Sequence, residues 1–196
     1  MSILADLKTP IFAAEGILHI DPATFRLEVS GLVDRPLSFS LAELKQQFPI
    51  ATVNRRLTSV SGWSVRADWN GILWRDFFKS IGVQEKARYV LFASPADYTT
   101  VVWLKDLEEG EALLAWGAGG QALEPEYGGP LRMVVPQLWG YKSCKWLCRI
   151  EFLEKYRTGY WELRGYSHRA EIEPGETFDV NSGQYYPIPG GEVTNF

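Results

Sequence analysis

The stretch EPEYGGPLRMVVPQLWGYKSCKW, Glu124–Trp146, decides how this chain is read. A glycine-bearing loop leads into one apolar strand, Leu131–Val135, and a second loop follows. Each loop sets a cation beside flexible backbone, in Gly128-Gly129-Pro130-Leu131-Arg132 and in Gly140-Tyr141-Lys142-Ser143-Cys144-Lys145. Free N–H groups, a hydroxyl and fixed cations in two short turns are what a phosphate-bearing ligand requires. A strand that only filled a core would have no use for such polar equipment at both ends.

Outward from this stretch the chain reads as many short strands with few, short helices, which indicates an α+β fold rather than a doubly wound sheet. Phe25, Leu27 and Val29 alternate in a strand over 24–29, and Leu37-Ser38-Phe39 begins another. Ser40 and Glu43 form a capping box for a helix to about Phe48, stopped by Pro49. Residues 50–60 are extended and carry Arg55 and Arg56. Asn70-Gly71 signals a turn, and 73–81 carries a helical apolar face closed by Gly82. Tyr89–Ala93, Thr99–Trp103 and Ala112–Trp116 read as strands, with a helical turn at 104–107 and a hairpin at Gly117–Gly120. A last strand falls within 146–153. The expected organisation is an N-terminal arm over 1–23, a binding domain over 24–165, and a tail over 166–196 that lies on the surface or on a partner.

With 196 residues, the chain is long enough for one well-packed domain. A net charge of −4 argues against a nucleic-acid binder, whereas a few clustered cations in an acidic protein suit a small anion. No apolar run approaches the ~18 residues of a membrane span. The first ten residues lack a basic start and long apolar run, so a cytoplasmic location is expected. The only cysteines are Cys144 and Cys148, and His19 and His168 are remote from them, which disfavours a zinc site. Eight Trp, nine Tyr and ten Phe are more than ordinary; they read either as a core rich in large side chains or, for some, as walls of a planar ligand's pocket. No catalytic triad, Walker loop or dinucleotide fingerprint is present.

The motifs together resemble one family. Gly31-Leu32-Val33 with Pro36, Gly62-Trp63-Ser64-Val65 with Trp69 and Gly71, Tyr89-Val90, and Pro125-Glu126 through Lys142-Ser143-Cys144-Lys145-Trp146 are similar in order and spacing to the molybdopterin-binding domain. That domain is shared by sulfite oxidases, assimilatory nitrate reductases and the bacterial protein-methionine-sulfoxide reductase catalytic subunit. The resemblance covers about residues 24 to 165. It implies an α+β fold like the sulfite oxidase middle domain, with mixed sheets and short helices around one pyranopterin whose dithiolene holds molybdenum. It places Ser94, Tyr127, Arg132, Lys142, Ser143, Cys144 and Lys145 at the molybdopterin. Relatives carry a molybdenum-ligating cysteine where this chain has Ser59, and often His or Asn where it has Tyr127. A serine alkoxide is a harder ligand than thiolate and requires loss of a far less acidic proton.

The implied function is oxygen-atom transfer at molybdenum, with Ser59 beside the metal and Arg56 drawing in a small anionic or oxygen-transfer substrate. Electrons would pass to an external partner. The alternative is a non-catalytic pterin or anion binder of the same fold that has lost the cysteine ligand. An enzyme using the cleft for another anion without molybdenum is a third reading.

Overall fold

The structure is a computed structural model that describes residues 3–196. Two mixed sheets carry it. The first has five strands in the order β2-β1-β10-β5-β6: β1 Leu27–Gly31, β2 Leu37–Phe39, β5 Tyr89–Ala93, β6 Thr99–Trp103 and β10 Arg149–Leu153. In the second, the path β12-β11-β4-β7-β8 is joined by β3 on β4 and β9 on β7. These are β3 Ala51–Ser59, β4 Trp63–Leu73, β7 Leu113–Ala118, β8 Gln121–Ala122, β9 Arg132–Val134, β11 Gly175–Asp179 and β12 Gln184–Ile188. The helices are short: α1 Ile3–Asp6, α2 Leu41–Gln47, α3 Trp74–Ser80 and α4 Leu104–Glu109. Among the described residues no helix is long and apolar enough to cross a membrane.

Because side chains alternate along a strand, one buried strand can serve two cores. In β7, Leu114 and Trp116 join the main core with Val29, Phe92, Ile150 and the α3 ring of Phe77. Leu113 and Ala115 face the other way, into a second core with Leu57, Val65 and Trp69 of β3 and β4 and Leu4 of α1. That second face of the larger sheet is the floor of the candidate site. The capping box forms as expected, Ser40 Oγ accepting from the Glu43 N–H at 3.1 Å and the Glu43 carboxylate from the Ser40 N–H at 2.7 Å.

Two expectations are corrected. Asn70-Gly71 is no turn: β4 runs straight through it, with a register shift where it pairs with β7. The glycine is required there for closeness, since a Cβ would stand 2.0 Å from the Leu114 carbonyl oxygen. The C-terminal residues do not simply lie on the surface. Phe178 and Asp179 of β11 pair in parallel with Trp63 and Ser64 of β4, and β12 closes the hairpin.

Candidate active site

A cavity of about 180 Å³ lies between the second face of the larger sheet, the two loops of 124–146 and the N-terminal arm. Its floor is Leu57, Val65 and Trp69, and Trp63, Trp161 and Tyr166 stand around it. Ser59 reaches the wall because β3 ends there. The chain reverses through Gly62, and Ser59 Oγ accepts the Ser61 N–H at 3.1 Å.

Another part of the wall, at the two loops, is polar. Residues 125–127 make one 3-10 turn and Gly128 follows at φ 93°; a Cβ on it would press within 2.8 Å of the Lys145 side chain. That close approach is why glycine ends this loop. Arg132 is buried beneath it and forks between the loops, donating to the carbonyls of Tyr127 at 2.8 Å, Ser143 at 3.3 Å and Met133 at 3.2 Å. Burial pulls its pKa down to about 10, so the guanidinium keeps its charge at neutral pH. Ser143 Oγ accepts the Val135 N–H at 2.9 Å. Lys145 Nζ donates to the Glu126 carbonyl at 2.7 Å and the Phe12 carbonyl at 2.9 Å.

Burial, and then the positive charge of Arg132, pull the Lys145 pKa down to about 7. This carries a pH signature. Above that value the ligand-free ammonium loses its proton, and an anion must bring the proton back to be bound. Sulfate keeps one charge state over this range, so its binding isolates the lysine. Its affinity, measured calorimetrically, is expected to hold below about pH 7 and then fall by up to about tenfold per pH unit. The Lys145→Met variant should bind more weakly and show no such slope.

Of the residues singled out from sequence, Ser59, Tyr127, Arg132, Ser143 and Lys145 line the cavity. Tyr127 serves the arm, its hydroxyl donating to the carbonyls of Leu4 and Thr9 at 3.3 Å each. The remaining residues are placed elsewhere. Arg56 was expected to meet substrate, but it is buried against Asp179 at 2.6 Å, donates to the Phe196 carbonyl at 2.6 Å and lies over the Phe196 ring. Arg55 pairs with Glu111 and, at 3.1 Å, with Glu192. Lys142 points into the interior, where its fully buried ammonium meets the Glu162 carboxylate and donates to the Val101 carbonyl at 2.7 Å. Cys144 is buried off the wall, and burial pushes its thiol well up, away from the reactive thiolate form. Ser94 is also off the wall, its hydroxyl donating to the Glu15 carboxylate.

Sequence reading missed Glu15, Thr9 and Tyr98, and gave no individual role to Trp161 or Tyr166. The aromatic surplus was the available signal for the rings; nothing local marked Glu15.

Rings around an apolar floor, with a glycine-shaped, cationic corner on the same wall, suit a planar, anionic ligand. The chain belongs to the family described as oxidoreductase molybdopterin binding domain, which matches residues 14–161. It is 38% identical to the uncharacterized oxidoreductase YuiH of Bacillus subtilis, over 81% of this chain and 80% of that protein. It is 33% identical to the protein-methionine-sulfoxide reductase catalytic subunit MsrP of Xanthomonas campestris, over 79% of this chain but 52% of the relative. It therefore spans about half the length of that reductase. The fold is shared with the sulfane dehydrogenase SoxCD of Paracoccus pantotrophus, at a TM-score of 0.69 and 17% identity, covering 93% of this chain and 51% of that one.

The donors of the cleft fit a molybdopterin. Arg132 spends three of its N–H groups on carbonyls, out of the five a guanidinium carries. Thr9 is on the cavity wall, and its buried Oγ1 has no partner within the protein. Unspent polar groups of this kind are costly unless a ligand or water meets them.

Proposed function

We propose that the protein is a molybdopterin-dependent oxidoreductase of sulfite oxidase type that transfers an oxygen atom to or from a small, neutral, sulfoxide-like substrate. The observation that carries this reading is that one cavity is lined both by Ser59 and by the cationic Arg132–Ser143–Lys145 corner. When bound, the cofactor supplies a metal that cycles by two electrons and exchanges one oxygen atom. The protein's share is binding and orientation. Arg132 and Lys145 attract the anionic arm, Ser143 sits between them in sequence, and Trp69 and Trp63 offer flat apolar surface. Ser59 would hold the metal in place of the thiolate that relatives use.

The choice of a neutral substrate follows from what the wall lacks. Arg56, expected to draw in an anionic substrate, and its neighbour Arg55 are both committed to carboxylates and do not line the cavity. Leu57, Val60, Trp63 and the rings of Trp161 and Tyr166 line the same cavity as Ser59. An apolar, aromatic wall accepts a thioether or sulfoxide more readily than a charged oxyanion, whose desolvation would go uncompensated. The relatives named as methionine-sulfoxide reductases agree with this choice. Turnover would draw on an external electron-transfer partner.

The test is Ser59→Cys in protein made by a host that synthesises the cofactor. A softer thiolate at this position is expected to raise molybdenum retention several-fold, read by metal analysis, and to raise dye-linked sulfoxide turnover with it. Unchanged metal content in a folded variant would remove Ser59 from the metal site. Wild-type protein with pterin but no metal would favour a cofactor holder over an enzyme.

A further inference from the structure

Residues 9–15 cross the cavity as a strap without regular secondary structure, and the groups that hold it down are those a ligand would want. The Phe12 carbonyl takes the Lys145 ammonium at 2.9 Å, and the Phe12 ring rests on Trp161 at 5.7 Å between centroids. Glu15 does more. Its carboxylate accepts the Ser94 hydroxyl and, at 2.9 Å, the backbone N–H of Tyr98. Ser94 and Tyr98 are both buried, and Glu15 lies on the cavity wall in front of Ser94. A hydroxyl and an N–H converging on one carboxylate, beside a cleft that otherwise collects cations, form an anion seat with an internal occupant. The seat shares a cavity with the cationic corner: Glu15, Tyr98, Arg132 and Lys145 all line it.

Building on the functional reading above, we infer that the Ser94 hydroxyl and the Tyr98 N–H form the seat for the cofactor's phosphate, and that Glu15 holds this seat until the ligand arrives. Two anions cannot share two donors at this spacing without strong repulsion. Loading therefore exchanges carboxylate for phosphate, and the strap lifts from Ser94 as the ligand enters. No covalent step is involved; the exchange is between charge-assisted hydrogen bonds of similar kind. The strap thereby keeps an open cationic cleft closed to small adventitious anions, because the carboxylate already satisfies the donors.

The experiment uses cofactor-free protein and inorganic phosphate, titrated calorimetrically at one pH. Glu15→Gln keeps the shape of the side chain and removes its charge, so phosphate is expected to bind about tenfold or more tightly than to wild type. Adding Ser94→Ala should abolish that gain. If Glu15→Gln binds phosphate no better, or if the gain survives Ser94→Ala, the seat is not where we place it. A loss of molybdopterin uptake by Glu15→Gln would overturn the inference in the opposite sense, by making Glu15 an acceptor for the pterin's own N–H groups. Should the variant fold poorly, hydrogen exchange on wild type decides. Amides of residues 9–15 should exchange faster in loaded than in cofactor-free protein while Tyr98 N–H stays protected; equal protection of the strap sinks the proposal. Failure of wild type to take up molybdopterin at all would instead defeat the functional reading, and leaves the phosphate titrations to judge the seat itself.

Discussion

Lys142→Met is expected to destabilise the protein by about 3–5 kcal/mol, the cost of leaving a buried carboxylate without its counter-ion. Both partners are fully buried, and Glu162 also accepts from Thr100 Oγ1 at 3.3 Å. Burial pulls the Lys142 pKa down, and the Glu162 charge opposes that pull, so each buried charge is sustained by the other. Chemical denaturation of Lys142→Met, Glu162→Gln and the double variant measures this. The double variant should recover most of the loss, since removing both charges removes the desolvation penalty along with the attraction. A Lys142→Met protein of wild-type stability that failed to retain cofactor would return this lysine to the phosphate, where sequence reasoning placed it.

The second large effect is expected at Arg132. Its guanidinium bonds one carbonyl from each loop and that of Met133 in β9, and lies 5.6 Å from the Trp69 ring, so it builds the corner as well as charging it. Arg132→Ala strands those carbonyls in a buried site and should cost about 3 kcal/mol or more of stability. Cofactor content of the folded fraction should fall with it. Arg132→Lys is the informative control. An ammonium restores charge without the planar fork, so stability should remain low while some sulfate binding returns. Recovery of full stability by lysine would show that charge alone, and no geometry, is needed there.

Sequence reading succeeded where the signal was local. The Ser40–Glu43 box, the apolar face of α3 and the strands of the first sheet each depend on residues within a turn or two of one another. The two glycine loops were legible for the same reason. What failed was long-range. Nothing near Lys142 announces that Glu162, twenty positions on, will take its charge, and Arg56 meets Asp179 across 123 positions. Strand β11 gave no apolar alternation because its inward residues are Thr177 and Asp179, polar groups buried as partners rather than as core. Asn70-Gly71 misled because a long pairing with β3 on one side and β7 on the other overrode a two-residue turn preference. The family resemblance fixed the neighbourhood of Ser94 but gave no means of seeing Glu15 in front of it.

The grip of Arg56 on Asp179 and Phe196 also separates two kinds of boundary. The stretch by which this chain is recognised ends at Trp161, yet the stretch that must fold together reaches its last residues. A protein cut at the recognisable edge would keep every motif of the cleft and lose the anion that neutralises an interior guanidinium under β3. A search by motif passes over such a constraint, whereas a truncation series meets it at once.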